Sequence, residues 1–105
     1  MNRKLEATVM MSGVTSSPTT GEAVADSFRV PSFSAFVAGT GEVTATVLIE
    51  CSNTGNGWVP YGTLTMSGTT LAPDAIAGSG RYLQYRARLT ALTGTSAAVT
   101  VTMGS

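Results

Sequence analysis

The side chains able to do acid–base chemistry are few and stand apart. Glu6, Glu22, Asp26, Glu42, Glu50 and Asp74 are the only acids, and no two fall within a motif. A pair of carboxylates for glycoside cleavage would have to be assembled across strands, and nothing in the spacing argues for it. Histidine, the commonest general base and metal ligand, is absent. Cys51 falls on the apolar face of an alternating run, where a thiol serves as a small inert filler. No serine sits in a nucleophile elbow, and no glycine cluster carries the lysine of a phosphate-cradling loop. The Asn53–Gly57 loop offers oxygens but no acid of its own, which is too little for calcium. The residues predict a non-enzymatic protein with no catalytic, cofactor or metal site.

Side chains suited to contact are easier to find. Tyr82, Gln84, Arg86 and Arg88 alternate along one strand face, and Tyr and Arg are enriched where interfaces are energetically concentrated. The same row is equally a plain outer sheet face paired with Glu42 or Glu50 across strands. Trp58 and Tyr61 flank Pro60 beside a turn. Exposed, the two rings would stack on a sugar; buried, Trp58 would close one end of a core, and the core position is favoured.

Composition limits the partners. Only 11% of the 105 residues are charged, the net charge is zero and 43% are hydrophobic. Without a basic excess, binding to nucleic acid is not expected. No apolar run approaches the length of a membrane span. Met1-Asn2-Arg3-Lys4 imitates the start of a signal peptide, yet Glu6 and Thr8 interrupt the stretch where its apolar region would lie, so synthesis without export is expected. So few charges leave a lone protein little colloidal protection. Either Ser and Thr keep the surface wet, or partners cover much of it.

The elements that must position these residues are strands. Val43, Ala45, Val47, Ile49 and Cys51 alternate with Glu42, Thr44, Thr46, Leu48, Glu50 and Ser52, a period of two with one buried and one wet face. Leu83, Tyr85, Ala87, Leu89 and Ala91 form a second apolar row. After Thr93-Gly94-Thr95-Ser96 comes a third, Ala97, Val99, Val101 and Met103, and the spacing predicts a β-hairpin. Phe28 to Ala38 is extended, with Pro31 marking an edge or a bend, and Gly39-Thr40-Gly41 connects it to the next strand. Gly62 to Ser67 is a strand with Leu64 and Met66 inward, and Gly68 to Gly80 is a long connection. Six or seven short strands predict an all-β fold, an antiparallel β-sandwich of jelly-roll type with an extended N-terminal segment.

Two parts are expected: 1–20, a strand or arm with a linker, and 21–105, one sandwich domain. Leu5 to Met11 alternates as a strand, and Ser12 to Thr20 has the composition of a linker. The strand either pairs within its own sheet or adds to a neighbouring subunit. As an arm, it makes Arg3, Lys4, Leu5 and Val9 interface candidates beside Tyr82, Arg86 and Arg88.

Several blocks carry a resemblance. They are Phe36-Val37-Ala38-Gly39-Thr40-Gly41-Glu42-Val43-Thr44-Ala45-Thr46-Val47, then Ile49-Glu50-Cys51-Ser52-Asn53 with Gly57-Trp58. Gly62-Thr63-Leu64-Thr65-Met66-Ser67-Gly68-Thr69-Thr70 comes next, and then Tyr85 through Thr95 and Val99-Thr100-Val101. In texture and order, residues 33–103 resemble small structural proteins of tailed bacteriophages. The resemblance implies a β-sandwich or jelly-roll on the virion, a head decoration or cement protein bound to the major capsid protein, assembled in the host cytoplasm and often trimeric. A tail, collar or baseplate component and a carbohydrate-binding module aiding adsorption are the alternatives. Thr54 stands where an acid is more usual, so no ion or sugar role is carried over.

Overall fold

The computed structural model describes residues 7–25, 30–54, 56–78, 80 and 82–104. Among them the chain is all-β: β1 (Ala7–Val14), β2 (Thr19–Thr20), β3 (Val24–Ala25), β4 (Ser32–Ser52), β5 (Val59–Ala77) and β6 (Gln84–Gly104). All pairings are antiparallel and form one sheet in the order β1-β6-β4-β5, with β2 and β3 also lying along β6. The antiparallel all-β expectation is met, by three long strands and three short ones rather than by six or seven short ones.

Three segments expected to be connections lie inside strands. Thr93–Ser96 is not a hairpin turn, because β6 runs through it and pairs with β4 on both sides. Gly39–Gly41 and the greater part of 68–80 likewise lie within β4 and β5. Backbone torsions explain these sites. Gly41 has φ 73°, Gly94 φ 127°, and Thr70 and Ser96 adopt φ 62° and 55°. Such values turn a strand sharply, and they fall at one level, since Ala38 pairs with Leu71 and Ala98 while Thr44 pairs with Ser67 and Thr93. A fold line therefore crosses all three long strands.

At this line the sheet doubles over. A straight strand of 21 residues would reach about 70 Å, whereas the longest dimension is 42 Å. Phe33, near the start of β4, lies 5.6 Å from the ring of Tyr85, whose partner is Cys51 at the other end of β4. The Thr65 amide donates to Asp74 Oδ2 at 2.8 Å, joining the two halves of β5. Residues 32–38, 71–77 and 97–104, with β1, form a first leaf; residues 42–52, 59–69 and 84–93, with β2 and β3, form a second.

The core fills the space between the leaves. Val43, Ala45, Val47, Ile49 and Cys51 are buried as their alternation predicts, and so are Leu64, Met66, Tyr85, Ala87 and Leu89. Phe33, Val37, Val99 and Val101 answer them from the first leaf. Period-two reading fails at bulges. Val47 pairs with Leu89 but Thr46 with Ala91, so Thr90 is an extra residue, Ala91 turns outward and Leu92 packs on the core. An extra residue at Met10 buries both Met10 and Met11 and leaves Val9 exposed. Leu83, expected inward, precedes β6 and is exposed. Pro31 sits just ahead of β4, which is a central strand and not an edge, and its carbonyl accepts from the Gly78 amide.

Candidate interaction surface

Register builds the first candidate site. Glu50 is directly opposite Arg86, and Leu48 opposite Arg88, on the outer face of the second leaf. Arg86 Nε donates to Glu50 Oε1 at 2.7 Å, and Arg88 Nη1 lies 3.9 Å from Glu50 Oε2. The wet-face expectation for Glu50 is corrected, since its side chain is only 9% exposed. Trp58 supplies the cover. It precedes β5, on the far side of β4 from β6, yet the Arg86 guanidinium lies 4.4 Å from its ring centroid. The stacked indole and guanidinium thus roof the carboxylate, which loses water and gains two cations in exchange.

The turn before Trp58 is made by hydroxyls. Ser52 Oγ accepts from the Thr54 amide, and Thr54 Oγ1 accepts from the amides of Asn56 and Gly57. These bonds spend the loop's oxygens on its own backbone and hold Trp58 at the sheet face. Arg86 is therefore fixed in advance, while the Arg88 side chain remains 47% exposed. One carboxylate between two guanidiniums leaves a net positive charge at a prearranged, partly apolar patch.

The sequence-derived candidates separate into different roles. Arg86 and Arg88 belong to the patch. Tyr61 is the extra residue of a β5 bulge, between the pairs Ile49–Gly62 and Glu50–Pro60. It donates to the Gly80 carbonyl at 2.6 Å and packs edge-on against Phe33, Tyr82 and Tyr85. Tyr82 sits at the rim of that aromatic cluster, its amide donating to the Tyr85 hydroxyl at 2.8 Å. Trp58 is half-buried, with Arg86 over its ring, so the expected core position is corrected. Val9 is exposed on the first leaf, with Thr102 opposite it. Arg3, Lys4 and Leu5 lie outside the described residues. β1 itself pairs with β6 of its own chain.

Burial pushes the Cys51 thiol above its ordinary value, which leaves it a poor nucleophile. Among the described residues no three His, Cys, Asp or Glu side chains gather as a metal site.

A second surface has no motif to mark it in the sequence. Outward from the first leaf point Phe36, Leu71 and Val9, 40%, 57% and 59% exposed. Around them stand Ser34, Pro73, Ala75, Thr100 and Thr102, which border a groove of about 530 Å³. Asp74 also borders it, but its carboxylate accepts from the Thr65 and Ala75 amides. The signal available is the alternation of Ser34 and Phe36 with Phe33, Ala35 and Val37, which becomes legible once the inward row is known.

No protein-family model, curated protein or solved structure matches the chain.

Proposed function

We propose that this chain is a non-enzymatic structural protein of a bacteriophage particle, a capsid decoration or cement protein that binds the major capsid protein lattice as a homo-oligomer. The doubled-over sheet is, on this proposal, a β-sandwich of jelly-roll type. The observation that carries it is the Trp58–Arg86–Glu50 arrangement, with Arg88 beside it. A guanidinium already stacked and ion-paired loses little freedom on binding, and Arg and Trp are the anchors protein interfaces favour. The phage-like blocks and the low charge of the chain agree with a life in an assembly.

Quantitative mass spectrometry of purified particles tests this. A head decoration is expected at on the order of hundreds of copies, whereas a tail or baseplate component is expected at about six or twelve. Arg88→Glu is expected to lower occupancy while the isolated protein stays folded. Absence of the chain from particles refutes the virion role, and unchanged occupancy of the variant removes this face from it.

A further inference from the structure

We propose that the uncharged outer face of the first leaf is a two-fold interface between two copies of this chain, in which Phe36 of each copy seats in the groove of the other. This rests on the homo-oligomer proposed above and gives it a surface and a two-fold symmetry in place of the trimer that the resemblance implies.

Three features of the face select a second copy as its occupant. The first is charge. Across four neighbouring strands the outward positions include Val9 on β1, Thr100 and Thr102 on β6, Ser34 and Phe36 on β4, and Leu71, Pro73 and Ala75 on β5. None of these side chains is ionisable; Asp74, which also borders the groove, is in register with the buried Ala35, and its carboxylate is held by the Thr65 and Ala75 amides. Two identical faces can therefore meet without the like-charge repulsion that normally keeps a surface from pairing with itself.

The second is relief. Phe36 stands 40% exposed beside Ser34 and Ala75, whose small side chains leave the 530 Å³ groove. Knob and hollow lie on one patch, which is the self-complementarity a two-fold contact requires. Pro73 and Leu71 would rim the seated ring with apolar surface.

The third is area. Four strands about 4.8 Å apart and roughly seven residues long give a face on the order of 450 Å² in projection. Side-chain relief raises the accessible area to around 600 Å², the lower end of stable interfaces per partner. Sheets stack face to face about 10 Å apart, with their strands turned by about 30° to accommodate the twist of each, and two such leaves can meet in that way. The Trp58–Arg86 patch, on the second leaf, stays open in such a dimer and remains available to a different partner.

Sedimentation equilibrium of the full chain, from about 1 µM to about 1 mM, provides the test. The wild-type chain is expected to reach a dimer within this range. Phe36→Arg is expected to weaken it at least about 30-fold, and Thr63→Ala, at an exposed position on the opposite leaf, to leave it unchanged. Circular dichroism establishes that each variant is folded. If Phe36→Arg does not fold, Ala75→Glu replaces it with the same expectation. A wild-type chain that stays monomeric throughout overturns the proposal, as does a folded Phe36→Arg or Ala75→Glu protein that dimerises normally. The virion role is judged separately: a dimer absent from particles refutes only that role, and a monomer abundant in particles refutes only the two-fold interface.

Discussion

Arg86→Met keeps an apolar stem at its position and removes the guanidinium that holds the second leaf's outer face together. Glu50 then keeps its burial, with a side chain only 9% exposed, but loses the 2.7 Å bond from Arg86 Nε. What remains is Arg88 at 3.9 Å, too far for a good hydrogen bond. Breaking a fully buried ion pair costs about 3–5 kcal/mol, largely through the stranded charge. Here the Arg86 side chain is 27% exposed, so water partly reaches the gap and the cost falls to about 2 kcal/mol. Loss of the guanidinium–indole stack adds roughly 0.5–1 kcal/mol. The sum, about 3 kcal/mol, corresponds to a fall in Tm of roughly 10–20 °C for a domain of this size.

Urea unfolding followed by Trp58 fluorescence measures the loss directly, since Trp58 is the one tryptophan and lies at the site. The companion variant Glu50→Leu in the Arg86→Met background removes the stranded carboxylate and is expected to recover most of the stability. That rescue separates a desolvated pair from a solvent-screened one, because a screened pair would show near-zero coupling in the double-mutant cycle. A loss below about 1 kcal/mol for Arg86→Met, with no rescue by Glu50→Leu, refutes the claim that Trp58 and Arg86 roof a buried charge.

Further outcomes are expected at the fold line and at Cys51. Gly94→Ala should cost at least about 2 kcal/mol, because φ is 127° and a Cβ would stand 2.9 Å from the Glu42 carbonyl oxygen and 2.8 Å from Val43 Cγ1; Gly41→Ala, with φ 73° and open space around it, should cost only about 1 kcal/mol. Thermal unfolding of both variants checks this, and equal losses would mean the fold line is not tightly packed at Gly94. Cys51 should resist a thiol reagent until the protein unfolds. Its folded pKa lies above the ordinary 9.0, so its contribution is intact below pH 9.0 and is lost as pH rises, because the unfolded chain releases the proton first. Cys51→Val should flatten that alkaline decline in urea titrations, and an unchanged slope would assign the decline to other groups.

Alternation along the chain was enough to identify strands and most of the core. Val43 through Cys51, Leu64 and Met66, Tyr85 through Leu89, and Ala97 through Met103 all face inward as their period of two requires. That pattern is local, because neighbouring side chains leave a strand on opposite sides whatever the strand pairs with. The absence of histidine and the scattered acids were equally plain, since composition needs no geometry. Bulges defeated the same reasoning at Met10 and Thr90, where one extra residue reverses the phase and only the partner strand reveals it.

What tertiary structure alone decided was where the chain turns and where it bends. Thr93-Gly94-Thr95-Ser96 has the chemistry of a hairpin loop, and a strand crossing a fold line needs the same positive φ values. The two differ only in whether a neighbouring strand continues alongside, and β4 does so along the length of β6. The candidate surfaces arise from that long-range pairing. It sets Arg86 opposite Glu50, 36 residues away in the chain, and against Trp58, and collects Val9, Phe36 and Leu71 on one face. Residue types declared that the chain was poor in charge; only register, a property of pairs of strands, determined which uncharged side chains among the described residues share a face.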